Sequence, residues 1–305
     1  MQRTTCNVQR AFLLALLSTA CTTTPRPSTN TSPSIPVFPP SFVRSVTPFE
    51  VLDEAGEPLD HPFLGGLNVP RPQLIDIDGD GDLDLFVQEH AGEVKFFENV
   101  GTAREYEYVW RTDGYQNINV GDWYRFGDMD QDGDSDLLTE SPYSFIKYYR
   151  NEGSATEPRF VLAADTLKDV AGEPIFSDRQ NIPNVGDIDC DGMLDLLIGR
   201  LVGTVTRYED TGTDAHGIPH FEFVTDRFED IEIVAQLAPS ARHGANTLAL
   251  ADIDQDGDQD FFWGDFFEQG LLYIRNTGSC QSPSLRSDPV QFPQGNPILT
   301  SGYNA

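Results

Sequence analysis

Short apolar runs bounded by polar turns fill the chain beyond about residue 48. Runs of two or three apolar residues follow each of four acidic stretches, at residues 85–87, 137–138, 196–198 and 261–263. Such runs predict strands, and no segment keeps the 3.6-residue periodicity of an amphipathic helix over several turns. The pattern therefore predicts an all-β fold.

Each acidic stretch belongs to a unit of four predicted strands. One strand ends at the stretch, a second follows it, and a third carries aromatic residues after a turn that contains Gly92 in the first unit and Gly203 in the third. A fourth is expected near residues 106–109, 160–162 and 221–224. Four strands in roughly 40 to 60 residues predict a β-propeller blade. A solenoid of β-turns is the alternative, although its repeats would be shorter and more uniform.

The acidic stretches share one nine-residue pattern, with Asp at positions 1, 3, 5 and 9 and Gly at position 6. We name them loop 1 (76–84), loop 2 (128–136), loop 3 (187–195) and loop 4 (252–260). Carboxylates at this density repel one another unless a cation lies among them, and the Gly permits the turn that gathers their oxygens. The predicted metal ligands are the side chains at positions 1, 3, 5 and 9 and the carbonyl at position 7: Asp76, Asp78, Asp80, Asp82, Asp84, Asp128, Asp130, Asp132, Asp134, Asp136, Asp187, Asp189, Asp191, Met193, Asp195, Asp252, Asp254, Asp256, Asp258 and Asp260.

Oxygen ligands of this kind predict calcium, about four ions in all, with magnesium second because it prefers fewer protein ligands. The loops differ from EF-hands, which need a bidentate Glu at position 12. That position holds Val87, Thr139, Ile198 and Trp263. A solvated acidic turn without metal is the alternative.

A second motif follows each loop at a nearly constant distance. Asn-x-Gly-Thr or a variant stands at residues 99–102, 151–154, 210–213 and 276–279, which is 23, 23, 23 and 24 residues after the first Asp. The loops themselves recur after 52, 59 and 65 residues. A rigid unit joined by connectors of variable length indicates a repeat array.

The acidic loop and the Asn-x-Gly-Thr behind it resemble the FG-GAP or VCBS repeat family, over about residues 48–305. The Phe-Gly of the family name is literal at Phe126-Gly127. The resemblance implies a β-propeller with a calcium loop in many blades, as in integrin α-subunits. It does not imply one activity.

Both ends of the repeat region suggest an incomplete propeller. Residues 48–52 resemble the outer strand at 158–162, and both are followed by Ala-Gly-Glu-Pro, so we predict an outer strand without its blade. Residues 302–304 resemble 244–246, just before loop 4. We therefore expect a truncated propeller, residues 43–305, from a longer protein.

The first 20 residues have the pattern of an export signal, with Arg3 and Arg10 in a basic region before a short apolar core at residues 11–17. Cys21 follows a sequence that resembles a bacterial lipoprotein processing site, and cleavage after Ala20 without lipidation is the alternative. Residues 21–42 form a tether rich in Pro, Ser and Thr. We expect an exported protein of the bacterial cell envelope, anchored to the outer membrane only by lipid, or secreted.

The net charge bears on the class of binding partner, and the cysteines bear on a possible disulfide. The net charge is −29, which argues against nucleic acid as a partner. Cys190 and Cys280 would be the cysteines left after processing, and an oxidising compartment would allow a disulfide between them.

No catalytic motif is evident, and the five histidines are scattered. We therefore predict a non-enzymatic binding or adhesion module whose ligand is a protein or a glycan. The alternative is an accessory propeller of a larger secreted hydrolase or lyase.

Overall fold

The structure is a computed structural model that describes residues 44–67, 70–89, 92–178, 181–232, 246–265, 270–286 and 288–297. The predicted export signal, Cys21, the tether up to residue 42 and residues 302–304 lie outside these ranges. The chain divides into Met1–Ser45 and Val46–Ala305, and all described strands belong to the second unit. Within the described residues, no helix is long and apolar enough to span a membrane.

The described strands form four antiparallel sheets of four strands each. In chain order they are β1 (Arg71–Ile75), β2 (Asp84–Gln88), β3 (Val94–Asn99) and β4 (Tyr108–Thr112) in blade 1; β5 (Tyr124–Gly127), β6 (Asp136–Ser141), β7 (Phe145–Asn151) and β8 (Phe160–Ala164) in blade 2; β9 (Asn184–Gly186), β10 (Asp195–Gly199), β11 (Val205–Thr213) and β12 (Pro219–Thr225) in blade 3; and β13 (Asn246–Ala251), β14 (Asp260–Asp265), β15 (Leu271–Ile274) and β16 (Val290–Phe292) in blade 4. Two 3₁₀ turns, Tyr115–Asn117 and Phe228–Asp230, complete the described elements.

These sheets are the four blades of a β-propeller, which confirms the predicted all-β fold. Within each blade the strands pair in sequence order, so every blade is a meander. Loops 1 to 4 join the first strand of each blade to the second, as predicted. Position 12 of every loop lies buried in the second strand, which agrees with the exclusion of EF-hands.

The first strand of each blade lies innermost and packs on the first strand of the next, as β1 on β5, β5 on β9 and β9 on β13. Side-chain amides join these strands. The Gln73 amide donates to the Phe126 carbonyl oxygen and accepts from the Phe126 N–H, both at 3.1 Å. The Asn184 amide donates to the Leu248 carbonyl oxygen at 2.9 Å. Consecutive blades are therefore joined by hydrogen bonds as well as apolar packing.

The apolar core consists of three clusters, each shared by two consecutive blades. Phe86 of blade 1 packs on Phe126 of blade 2, with ring centroids 4.6 Å apart. The next cluster joins Met129 of blade 2 to Leu196 of blade 3. The third joins blades 3 and 4 and buries Trp263 completely. The core therefore lies between the blades as well as within them.

The predicted outer strand at residues 48–52 is wrong. This segment lies outside the four described sheets, and its strand-type pairing among the described residues is the isolated bridge from Leu52 to Pro58. Its resemblance to the later segment has a local cause, because the Asp53 and Asp169 side chains accept hydrogen bonds from the N–H groups of Glu57 and Glu173 in equivalent turns. The shared Ala-Gly-Glu-Pro marks a turn, not a strand.

Candidate metal centres

One backbone turn recurs in all four loops. Position 4 has φ between 58° and 71° in each loop, whether it is Gly79, Gln131, Cys190 or Gln255. The glycine at position 6 has φ between 91° and 96°, a conformation that favours glycine. Its N–H donates to Oδ2 of the position-1 Asp at 3.0 to 3.1 Å. The glycine that the sequence marked therefore closes the turn on the first carboxylate.

These turns gather the predicted carboxylates. Oxygens from positions 1, 3 and 5 lie within 4.8 Å of one another in loops 1, 3 and 4. In loop 2 the group comprises positions 1, 3 and 9, which are Asp128, Asp130 and Asp136. Loop 3 has a further group, in which Glu209 of β11 joins Asp189 and Asp195. Each loop therefore presents at least three convergent carboxylates.

Every loop also buries carboxylate oxygens that have no hydrogen-bond partner among the described residues. They are the Oδ1 atoms of Asp78, Asp128, Asp130, Asp134, Asp187, Asp189 and Asp258. A buried carboxylate oxygen without a partner loses its hydration and gains nothing in return. A bound cation would supply that missing partner, so the donor set fits a hard metal ion.

The Asp at position 9 is the most buried carboxylate of each loop, and a hydrogen bond joins it to the motif that follows. Its Oδ1 accepts the N–H of Asn99, Asn151 or Asn276 at 2.7 to 2.8 Å, and that of Asp210 at 3.3 Å in blade 3. Burial raises the pKa of Asp84 to about 6 and that of Asp136 to about 7, although these backbone donors oppose the rise.

In three of the four blades, a side chain of the third strand donates a hydrogen bond to the same carboxylate. The Tyr148 and Tyr273 hydroxyls donate to Oδ2 of Asp136 and Asp260 at 2.7 and 3.1 Å. In blade 3 the corresponding residue is Arg207, which donates to Asp195 at 2.9 Å. Blade 1 has Phe96 there, and its ring stacks on Phe86 instead. The four loops therefore share one sequence pattern, but the third-strand residue next to the position-9 Asp differs among the blades.

Arginines form ion pairs with carboxylates at positions 3 and 5 of loops 2 and 4. Arg150 lies 2.5 Å from Asp130 and 3.1 Å from Asp132, and Arg275 lies 2.5 Å from Asp254. Blade 1 has Glu98 at the same place, and it pairs with Arg111 at 2.5 Å. Loop 1 consequently has the most negative surroundings.

Loop 3 departs furthest from the others. The largely buried Arg207 guanidinium contacts Asp189 at 2.6 Å, Asp195 at 2.9 Å and also Glu209. Burial still raises the pKa of Asp195 to about 7, with Arg207 acting in the opposite direction. Cys190, at position 4, forms a disulfide with Cys280 of blade 4, with a Cα–Cα distance of 5.5 Å. Loop 3 thus carries an internal cation and a covalent link to the next blade.

The sequence pattern found the carboxylates but not their surroundings. At position 7 it assigned only a carbonyl, whereas the structure buries the side chains of Asp82 and Asp258 and the Oδ1 atom of Asp134 there. Burial and the neighbouring carboxylates raise the pKa of Asp134 to about 6. Glu209, Arg207 and Tyr148 were missed as well. The available signal was their fixed position just before the Asn-x-Gly-Thr motif.

An acidic turn between the first two strands of each four-stranded blade defines this molecule as a propeller with repeated acidic loops. Residues 76–139, from loop 1 into β6, match the family model of the FG-GAP-like repeat, which confirms the resemblance for that part of the chain. None of the curated proteins compared with this chain matches it. The crystal structure of BBS1N in complex with ARL6DN, soaked with lead, is similar at 14% identity and a TM-score of 0.33. That similarity covers 75% of this chain and 60% of that chain.

Proposed function

We propose that the four loops bind calcium and that the bound ions stiffen the propeller. The buried carboxylate oxygens without partners in every loop support this proposal most directly. The donors are all oxygen, and the turns already gather them before any ion binds. Four ions would offset part of the net charge of −29.

Calcium removal is the direct test of this proposal. A site filled at 100 times its dissociation constant adds about 2.7 kcal/mol to the free energy of unfolding. We expect EDTA to lower the melting temperature, calcium to restore it, and magnesium to restore it less. Asp76→Asn is expected to remove one ion from the calcium stoichiometry measured by isothermal titration calorimetry. A melting curve that is indifferent to EDTA would contradict calcium binding.

The end of the blades opposite the loops offers a surface for a ligand. Tyr143 is 80% exposed at the tip of the β6–β7 hairpin. Tyr143 and Ser144 both have positive φ, at 69° and 68°, which is uncommon for such residues outside a tight turn. In the next blade Leu201 and Val202 lie exposed at the tip of the β10–β11 hairpin. We name these three exposed residues the hairpin patch.

Phe176 extends the apolar surface between the two hairpins. Its ring packs on Phe145 of blade 2, with centroids 5.7 Å apart, and its carbonyl oxygen accepts from Arg200 of blade 3 at 2.6 Å. Exposed apolar side chains grouped on one side of a protein favour a binding role. By contrast, Trp123 and Trp263 are buried in the core and offer no surface to a ligand.

The function that these features support best is a non-enzymatic binding or adhesion module, which takes a protein or glycan on the hairpin patch. Binding to a glycan array and to immobilised candidate proteins should be measured with calcium and with EDTA. Tyr143→Ala is expected to weaken binding at least tenfold. Tyr106→Ala is the matched control, because Tyr106 is 72% exposed at the loop end. Equal loss in both variants would argue against the hairpin patch.

The cellular location belongs to the same proposal. The disulfide between Cys190 and Cys280 favours an oxidising compartment, which agrees with the export pattern of the first 20 residues. We therefore propose a location in the bacterial cell envelope, with Cys21 as the lipidated terminus, and secretion without lipidation as the alternative. Cys21→Ser should move the protein from the membrane fraction to the soluble fraction. Unchanged partitioning would exclude the lipid anchor.

A further inference from the structure

The exposure of the side chain at position 2 of each loop depends on whether another blade follows in the chain. Ile77, Met129 and Ile188 hold this position in loops 1 to 3, and all three are buried. Each belongs to a core cluster that includes residues of the following blade. Ile253 holds position 2 of loop 4 and is 46% exposed. We call the side of a blade that carries position 2 its trailing face.

The opposite side of each blade, its leading face, receives the trailing face of the blade before it. A Cβ added to Gly127, just before loop 2, would lie 2.9 Å from Leu194 and 3.4 Å from Val185 of blade 3. A Cβ on Gly186 would lie against Leu250 of blade 4. The leading face is therefore built from the residue two places before the loop and, in blade 3, from position 8 of the loop.

Blade 1 leaves these leading-face positions open. Leu74, two places before loop 1, is 52% exposed, whereas the equivalent Phe126 of blade 2 is buried. Leu83, at position 8 of loop 1, is 48% exposed. The chain thus exposes the part of the leading face of blade 1 and the part of the trailing face of blade 4 that lie next to the loops. Farther from the loops, Val87 and Phe97 are buried on the first face, and Phe262 is buried on the second. The chain uses the same two loop-side parts against each other at its internal blade contacts.

We propose that two copies of this chain pair head to tail, with the trailing face of blade 4 in one copy against the leading face of blade 1 in the other. The internal contacts show the kind of surface that covers each face, and one chain carries both complementary halves. An interface between unlike faces closes into a ring when the rotation permits. Two copies of four blades give a ring of eight, within the range that propellers adopt.

The mass in solution tests the proposal. Light scattering after size-exclusion chromatography, with calcium present, is expected to give twice the mass of one chain. Ile253→Asp and Leu74→Asp should each give the mass of one chain, because each places a charge in the contact. Leu162→Asp is the matched control, since Leu162 is 46% exposed on the outer strand β8. A wild-type protein that stays at the mass of one chain, or grows into an open series of larger species, overturns the proposal.

Mixing the two variants tests the direction of pairing. A mixture of Ile253→Asp with Leu74→Asp can form one intact contact, between the unaltered trailing face of the second and the unaltered leading face of the first. The two-copy mass is therefore expected to return in the mixture although neither variant shows it alone. If the mixture stays at the mass of one chain, head-to-tail pairing is wrong. Circular dichroism of each variant confirms that loss of pairing is not loss of folding.

Discussion

Oδ1 of Asp136 accepts the backbone N–H of Asn151 at 2.7 Å, across 15 residues of chain. The same bond spans 15 residues in blades 1 and 3 and 16 in blade 4. The Asn151 side chain then accepts the N–H groups of Gly153 and Arg159, and so holds the start of the fourth strand. This chain of bonds explains why the distance from loop to Asn-x-Gly-Thr is nearly constant.

Asp136→Ala should destabilise the protein by about 3 kcal/mol, because it leaves buried N–H groups of Asn151 and Met129 without their acceptor. The free energy of unfolding from urea denaturation measures the loss. Asp165→Ala is the control, because the Asp165 side chain is 75% exposed and forms a long ion pair of 3.9 Å with Lys147. This substitution should lower the free energy of unfolding by less than about 1 kcal/mol. Equal losses would show that Asp136 is not a structural anchor.

Gly153→Ala should be strongly destabilising, by about 2 to 4 kcal/mol, for a steric reason. A Cβ at Gly153 would overlap the carbonyl oxygen of Glu157, which is backbone and cannot move aside easily. Gly114→Ala is the matched control, because its φ is −134° and a Cβ there meets nothing within 4 Å. Thermal melting compares the two. A Gly153→Ala protein as stable as Gly114→Ala would contradict the close approach.

The sequence predicted the features that depend on a local conformational or hydrogen-bonding requirement for one type of residue. The glycine at position 6 of each loop, the order of loop and strands in each blade, and the Asn or Asp that begins the second motif are all local features, and each repeats four times. It failed at residues 48–52, because a resemblance shared with residues 158–162 belonged to the turn after them and not to a sheet. It missed Arg207 because the fixed position of this residue, three places before Asp210, shows its role only when the fold brings its guanidinium to Asp195.

The metal-free protein should lose stability as the pH rises from about 4 to about 7. Burial raises the pKa of Asp136 and Asp195 to about 7 in the folded state, from 3.8, so the folded protein binds more protons than the unfolded chain in this window. Stability gained from those protons is present at low pH and is lost as the pH passes the folded pKa. Melting temperatures of metal-free protein between about pH 4.5 and about pH 7.5 measure the slope.

Two comparisons sharpen this pH test. Saturating calcium should flatten or reverse the slope, because the ion stabilises the deprotonated carboxylates. Asp136→Asn cannot titrate at that position, so the slope of its metal-free form should be smaller than that of the wild type. A metal-free wild-type protein that is more stable near pH 7.5 than near pH 4.5 would contradict the raised pKa values.

Loop 3 should be the weakest of the four calcium sites, because the Arg207 guanidinium already contacts Asp189, Asp195 and Glu209. Arg207→Met removes this internal cation and keeps much of the side-chain volume over Phe228. Breaking a buried ion pair by removing one partner costs about 3 to 5 kcal/mol, so the metal-free variant should be clearly less stable than the wild type. Calcium should then recover more stability in the variant than it adds to the wild type.

The measurement is the calcium-induced rise in melting temperature, together with calcium affinities from isothermal titration calorimetry. Arg159→Met is the matched control, because Arg159 is 60% exposed and pairs with Glu152 at the surface at 3.2 Å. An exposed pair of this kind contributes about 0 to 1 kcal/mol, so its removal should leave the calcium response unchanged. If Arg207→Met binds fewer ions than the wild type, then Arg207 supports the metal site instead of competing for it.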